Sequence, residues 1–583
     1  VRTQHPWRWV AGIVVAALAL VVAYAGWLLW SATHDLKAAA DDASLLKAAA
    51  LSDNPAQVST ALADFTDHAH GAARATDSPV WSLLTKLPGI GDDARGVRTV
   101  SRVGDDLAQH GLKELTGAVD DIDAVLPKKG GIDTARLQSL ATPVADGYAA
   151  LTKARDQLAT EDPSTYTESL KLRYRDLQSK IDDAATAMGV ADRALQVMPQ
   201  MVGADGPRHY LLVMQNNAEI RATGGLPGAV ALLTANHGKL TMVREVSGAS
   251  FGEAPAPVLP LQPAEEKLFG ENLGRYVLDA NLTPDFARSA DLWKARWEQT
   301  QPQQVDGVIS LDTVSLSYLL KALGPVTVDG VRLTSDNVVD ELLSKVYDRL
   351  PDPADQDVFF GRVAKAVFGK VSSFSGSKQQ LLQALRQSAD ERRILVHDFH
   401  SAEQRRIDGT AVAGGLTTGD ATTSPQVGVY FADGTLSKMS YYLRYDAHVT
   451  ATSCTKGTQT LSGVLTLSST APKDAGTALP SYVTGSGLPK SQAGDMLVVV
   501  YVYAPSGGGA SKFDDNNLDF PQFSAVLGGR KVIGTWVVLE PGKSKDLKWT
   551  MTSGPGQTGS VHVNVTPSVV PGTSTTVVPS ACS

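Results

Sequence analysis

The first strong pattern along the chain is an uncharged run from Trp9 to Trp30, WVAGIVVAALALVVAYAGWLLW. At about 1.5 Å per helical residue it is long enough to cross a hydrocarbon core of roughly 30 Å, and it predicts a transmembrane helix over 9–31. Arg2, His5 and Arg8 precede the run and only Asp35 and Lys37 follow it closely. That asymmetry puts residues 1–8 in the cytoplasm and the bulk of the chain outside, as a single-pass protein of the cell membrane. Trp9, Trp27 and Trp30 then stand where amphipathic rings favour the two interfaces. Ala23-Tyr24-Ala25 also fits a signal-peptide cleavage pattern, but apolar residues continue through Trp30 and favour the anchor.

Residues 33–200 are rich in Ala, Leu, Asp and Lys, with breakers at Pro79, Pro88-Gly89, Pro127 to Gly131 and Pro163. Leu170, Tyr174, Leu177, Ile181, Ala184, Met188, Ala191, Leu195 and Met198 alternate spacings of four and three, the seam of a coiled-coil-like helix. Val100, Val103, Leu107, Leu115, Val119, Ile122 and Leu126 draw a less regular stripe. Such stripes must be buried against one another, which predicts an all-α bundle or stalk that spaces the rest from the membrane and offers a surface to envelope partners.

At Gly206-Pro207 the texture changes. HYLLVMQ reads as a buried strand, and VALLTANHGKLTMVREVS as two strands joined across Asn236-His237-Gly238. A helix beginning near Pro284 and Asp285, the strand VDGVISLD, the helix TVSLSYLLKAL, the small hairpin VTVDGVRL, further helices and the strand RRILVHDF follow. This order predicts an α/β sandwich over 206–408. A Gly/Thr-rich linker, 409–424, leads to alternating strands with turns at Gly528-Gly529 and Pro541-Gly542, a C-terminal all-β sandwich over 425–583.

Length and composition agree with a multidomain protein. At about 150 residues per domain, 583 residues make roughly three or four folded units. Hydrophobic residues are 43% and charged residues 20%, which excludes whole-chain disorder and a polytopic membrane protein. The net charge of −8 supplies no basic field for nucleic acid. The two cysteines, Cys454 and Cys582, have no metal-type spacing. Outside the cell they would form one disulfide; two unpaired thiols are the alternative.

The stretch YLLVMQNNAEIRATGGLPGAVALLTANHGKLTMVREVSG resembles the signature of a bacterial envelope family, domain-of-unknown-function family 4012, common in actinobacteria. The resemblance continues in NLTPDFARSADLW, in VDGVISLDTVSLSYLLKALGPVTVDGVRLT and in LSKMSYYLRY, while the anchor and LTKLPGIGDD fit the family's usual layout. More distantly, the same region is similar to the LytR-CpsA-Psr phosphotransferases, which move glycopolymers from polyprenyl pyrophosphate carriers to the cell wall. EIRATGG falls near their first Arg and Asp motif. EVSGAS lacks the Arg and Asp of their next motif, and Arg349 and Arg362 alone match their arginine-rich helices.

Candidate chemistry concentrates after the first strand of this region. Gln215, Asn216, Asn217, Glu219 and Arg221 precede Gly224-Gly225, where backbone can approach a ligand closely. Arg221 would hold a phosphate bidentately and Glu219 a Mg²⁺, these two being the catalytic candidates; equally, Glu219 and Arg221 would pair and Asn217 would cap a turn. Arg275, Asp279 and Asn281 form a second polar set, near Asp285 and Arg288, and Asp306 and Asp312 flank a strand. Gly248 to Gly252 fits G-x-S-x-G around Ser250, but EAPAPVLPLQP does not start the helix a nucleophile elbow requires. His397 and His400, placed on one strand, would face opposite ways. Two functions follow as expectations: an envelope protein that binds and transfers a polyprenyl-phosphate-linked glycan, or a non-catalytic scaffold or glycan-binding protein with a lapsed phosphotransferase-like domain.

Overall fold

The computed structural model describes residues 6–51, 55–112, 126–127, 131–416, 422–485, 491–514, 518–572 and 574–582, with side chains of the first helix from residue 26 except 47, 50 and 51. Most of the predicted anchor therefore lies outside the residues described in full; among those described, no helix is long and apolar enough to cross a membrane. Leu115, Val119 and Ile122 also lie outside them. The chain forms two compact units, residues 1–126 with 133–199 and residues 127–132 with 200–583.

The first unit is helical. α1 (Pro6–Leu51) and α2 (Pro55–Thr76) pack along each other, and α3 (Pro79–Leu84) and α4 (Gly91–Asp106) follow. Ala-rich faces permit close approach: Ala39, Phe65, Ala69 and Ala108 form one buried cluster. The long helix Glu168–Met201 carries the alternating stripe, and all its positions from Leu170 to Met198 are buried or half-buried. Tyr174 and Ile181 pack with Val103, Leu107, Ala154, Leu158 and Tyr166.

The second unit holds two β regions on one core. Its first strands are β1 (Arg208–Arg221), β2 (Gly224–Asn236), β3 (Lys239–Ser247) and β4 (Gly307–Asp312), then the hairpin β5 (Val326–Val328) and β6 (Val331–Leu333), then β7 (Ile394–Asp398). They make a mixed sheet in the order β3-β2-β1-β4-β7, with β1 and β4 parallel and the other neighbours antiparallel. The expected turns hold because their residues accept left-handed backbone: His237 and Gly238 have φ 47° and 78°, Asp329 and Gly330 48° and 80°. His397 is on β7, but His400 is not; it lies at the N-terminus of the Ser401–Ile407 helix, where it meets Arg208 and Asp306.

The later strands are β8 (Gln426–Asp433), β9 (Leu443–Thr455), β10 (Thr458–Ser469), β11 (Met496–Tyr503), β12 (Gly509–Ala510), β13 (Phe523–Leu527), β14 (Arg530–Leu539), β15 (Ser544–Thr552), β16 (Val561–Val565) and β17 (Thr575–Val578). They build a six-stranded sheet, β13-β14-β11-β8-β16-β17, and a four-stranded one, β12-β15-β10-β9. Every residue of β11, MLVVVYVY, is buried. Val499, Tyr501 and Tyr503 pack into the same core as Leu211, Val213, Phe286, Trp293 and Trp297, while Val498, Val500 and Val502 point to the opposite face. The six-stranded sheet is thus covered on both sides, by the α/β layer and by the four-stranded sheet, and its strands read as continuous apolar runs for that reason. The Gly/Thr-rich linker begins ordered: Val412 O accepts from Val396 N at 2.8 Å, Gly414 O from Phe286 N at 3.2 Å, and Ala413 is buried.

Cys454 on β9 and Cys582 are joined in a disulfide across 128 residues of sequence. Closing so long a loop in the unfolded chain stabilises by about 2–4 kcal/mol. Reduction should therefore lower the thermal midpoint of the larger unit and leave that of the helical unit unchanged in scanning calorimetry; an unshifted larger unit would mean that the bridge constrains nothing.

Candidate functional site

The polar run after the buried part of β1 is held by an irregularity in the sheet. Asn216 pairs with Leu226 and Ile220 with Gly225, so Asn217, Ala218 and Glu219 bulge from the ladder. Gly224 has φ +140°, and a Cβ on Gly225 would lie 2.3 Å from the Asn216 carbonyl, so both glycines are required for β2 to return past the bulge. The bulge sends three amides inward. Gln215 Nε2 donates to Ser310 Oγ at 2.9 Å, and Gln215 Oε1 accepts from Thr223 Oγ1, Gly225 N and Asn281 Nδ2 at 3.1, 3.0 and 3.3 Å. Asn281 Nδ2 also donates to the Gly225 carbonyl at 2.8 Å. Asn217 Nδ2 donates to Asp312 Oδ2 at 3.1 Å and Asn216 Nδ2 to Tyr347 Oη at 2.8 Å.

Beside the amides lies a buried charge network. Arg221, 1% exposed, donates through one nitrogen to Glu219 Oε1 at 2.9 Å and to Asp279 Oδ1 at 3.0 Å, and through another to the Ile220 carbonyl at 3.1 Å. The other Glu219 oxygen takes the ammonium of Lys438, from the β-sandwich side of the unit. Asp433, also buried, accepts from Thr435 and Ser437 close by. Burial pushes the Glu219 carboxyl up, but Lys438 and Arg221 outweigh it and hold the acid below its ordinary range. Burial raises Asp279 against the pull of Arg221, and it raises Asp433 together with the negative field of Glu219. Burial also opposes the charges on Arg221 and Lys438, and their acidic partners reverse it, so both cations hold their protons more firmly than usual.

The structure brings together most of the sequence candidates. Arg221, Glu219 and Asp279 touch directly; Gln215, Asn281 and Gly225 touch in the adjoining amide cluster; Asn216, Asn217 and Gly224 line the same bulge. Arg275 stands apart, its guanidinium turned to Glu253 at 2.9 Å and Glu271 at 3.5 Å. Ser250 sits in a short 3₁₀ turn and donates to Ser247 O at 2.6 Å. The assembled group is interior structure: the carboxylates of the network face cations of the same chain. The donor set does not suit Mg²⁺, because both oxygens of Glu219 are engaged by Arg221 and Lys438 and any cation placed there would face two positive charges. Nε of Arg221 and Oδ1 of Asn281 are buried without a protein partner.

Sequence reasoning missed Lys438, Asp433, Arg393 and Glu391. Arg393, fully buried, binds Asp312 at 2.7 Å, Glu391 at 2.6 Å and the carbonyls of Ser568 and Val570 at 2.8 Å, a second such network. The available signals were Lys438 inside LSKMSYYLRY and the paired arginines opening RRILVHDF, charged residues set just before apolar strand sequence.

Residues 205–347 match a family described as Protein of unknown function (DUF4012). The matched segment contains Glu219, Arg221, Asp279 and Asn281, while Lys438 and Arg393 lie beyond it. No curated protein matches the chain.

Removing one member of a buried ion network strands the others. Arg221→Met should cost about 3–5 kcal/mol of unfolding free energy in urea titration; a loss under about 1 kcal/mol would show that the network is not buried in solution. Glu219 also sets a pH dependence. Its folded pKa lies below the unfolded value, so the unfolded chain binds more protons and stability is lost as pH falls through the folded pKa. Asp279 and Asp433 act oppositely, their folded pKa values being raised, so their contribution falls as pH rises above the unfolded range. Glu219→Gln should flatten the acid limb of the stability curve below about pH 4.5; an unchanged limb would assign acid unfolding to other carboxylates.

Proposed function

We propose, from the premise that residues 205–347 of this chain belong to the DUF4012 family, that the protein is a membrane-tethered, extracytoplasmic structural component of the cell envelope, without a phosphotransferase centre at Arg221. The observation that carries this reading is the burial of Arg221, Glu219, Asp279 and Lys438 in mutual contact. A transferase acting on a pyrophosphate needs guanidinium groups or a metal aimed at the charge that develops in the transition state. Here the guanidinium is occupied by two carboxylates of its own chain, which serves to join the layers of the second unit. The uncharged run Trp9–Trp30 supports the tether, and the Cys454–Cys582 disulfide supports an oxidising compartment. The helical unit would present surface to envelope proteins.

The second reading, binding and transfer of a polyprenyl-phosphate-linked glycan by a LytR-CpsA-Psr-like domain, has one observation in its favour. The unpartnered Nε of Arg221 and Oδ1 of Asn281 are polar atoms with spare hydrogen-bonding capacity inside the core.

The full chain in detergent micelles, incubated with a short-chain polyprenyl pyrophosphate with and without Mg²⁺, should release no phosphate and show no Mg²⁺-dependent binding. Mg²⁺-dependent release by the unmodified protein would sink the structural reading and restore the transferase.

A further inference from the structure

The helical unit has an apolar surface that the packing of the described residues leaves uncovered. α2 runs back along α1: Ala69 and Phe65 sit against Ala39, His68 Nδ1 meets Asp42 at 2.7 Å, and Ala75 reaches the level of Leu28 and Ala32. The chain therefore turns from α2 through α3 into α4 at the level where the uncharged run of α1 ends. Ser78 caps α3 by accepting from Trp81 N, and Trp81 is buried among Leu28, Ala32, Ala75 and Ala94, its indole donating to Ala94 O at 2.9 Å. Beyond that anchor the turn is exposed. Lys86, Leu87, Pro88, Gly89 and Ile90 are consecutive exposed residues, and Leu83, Leu87 and Ile90 are 58%, 41% and 48% accessible. Trp27, Leu29 and Trp30 on α1, at the same level, are 54%, 41% and 62% accessible.

The turn is built to hold this shape. Gly91 N donates to Leu87 O at 2.9 Å, Lys86 N to Leu83 O at 3.1 Å and Arg95 to Thr85 O at 3.1 Å. A Cβ on Gly91 would stand 2.7 Å from Thr85 O, so the tight closure needs glycine. Elsewhere in the unit Leu45 and Leu172 are also exposed, as on any surface, and Tyr148 lies on Gly189 next to Val190. Three large aliphatic side chains with a proline on one ordered turn, at the level of Trp27 and Trp30, make an exposed apolar patch of the kind that marks an interaction site.

We propose that the 83–90 turn is a second membrane contact, its Leu83, Leu87 and Ile90 side chains entering the outer leaflet beside the exit of α1 while Lys86 reaches to the headgroups. The inference rests on the reading of Trp9–Trp30 as a bilayer span. Continuity selects lipid as the occupant: the patch extends the apolar surface of α1 sideways at the level where Trp27 and Trp30 mark the interface. Aliphatic residues with one long cation are what an interfacial segment requires, and the lysine stem lies along the apolar zone while its ammonium stays hydrated. A single helix leaves its attached unit free to tilt and swivel; a second contact would fix the orientation of the helical unit on the membrane.

The test uses single cysteines introduced into the full chain, whose own two cysteines are joined, so that a nitroxide attaches only at the new site. Leu83→Cys, Leu87→Cys and Ile90→Cys report on the turn, Leu20→Cys on the span, and Val190→Cys, exposed near the far end of the Glu168–Met201 helix, whose first turn lies beside Asp93, on bulk water. The labelled proteins are reconstituted in phosphatidylcholine/phosphatidylglycerol vesicles, and collision with oxygen and with an aqueous nickel chelate is measured. The expected result is a loss of nickel accessibility and a gain of oxygen accessibility at 83, 87 and 90 relative to 190, with 20 deeper still. A lipid-buried label at 20 with turn labels as nickel-accessible as that at 190 would overturn the second contact and leave the anchor standing. A water-exposed label at 20 would overturn the anchor and this inference with it. Turn labels shielded from both reagents would overturn lipid in favour of a protein cover.

Discussion

The second unit depends on a small number of charges that are almost wholly withdrawn from water. Arg221, Glu219, Asp279 and Lys438 satisfy one another at the seam between the α/β layer and the six-stranded sheet. Such an arrangement adds little net stability compared with a well-packed apolar seam, since the desolvation of each ion offsets most of its attraction. Its effect is on specificity. An apolar seam tolerates sliding by a residue or a few degrees of rotation, whereas a displaced charge here would be left buried and unpaired. Ser440 Oγ accepting from Ile220 N at 3.2 Å, and Thr566 Oγ1 donating to the Ala222 carbonyl at 3.1 Å, add directional constraints at the same seam. Arg393 does the equivalent on the other side of β4, reaching from Asp312 to the Ser568 and Val570 carbonyls.

What the chain discloses from its sequence is local. Turns at 236–238, 329–330 and 528–529 are readable because the two residues that must adopt positive φ are adjacent and of the types that tolerate it. The stripe from Leu170 to Met198 is readable because helical periodicity needs no knowledge of the partner helix. Glu219, Arg221, Asp279 and Asn281 are conspicuous as polar residues among apolar ones. Their role is not readable, because that depends on which side chain arrives opposite. Lys438 is 219 positions from Glu219, and nothing in the spacing of either indicates the other. The same limit explains β11: eight buried residues announce a strand covered on both faces, but not that Tyr501 and Tyr503 meet Trp293 and its neighbours.

The two units solve burial by different means. In the helical unit alanine and glycine let backbones approach, and the cores are small clusters strung along the helices, such as Leu28 with Trp81 and Ala39 with Phe65. In the second unit aromatic and β-branched residues fill a single continuous core between sheets. The first arrangement makes a long element whose parts are stabilised locally; the second makes a body whose stability is shared across the chain.

The seam also separates two ideas of a module. The segment recognisable by sequence stops at residue 347, while the hydrogen bonds and ion pairs that complete its interior come from residues as far as 344 positions from their partners. Transplanted alone by recombination, that segment would carry Glu219 without its lysine and Asp312 without its arginine into a foreign context. The segment that a sequence comparison isolates is therefore smaller than the folded unit whose charges it completes.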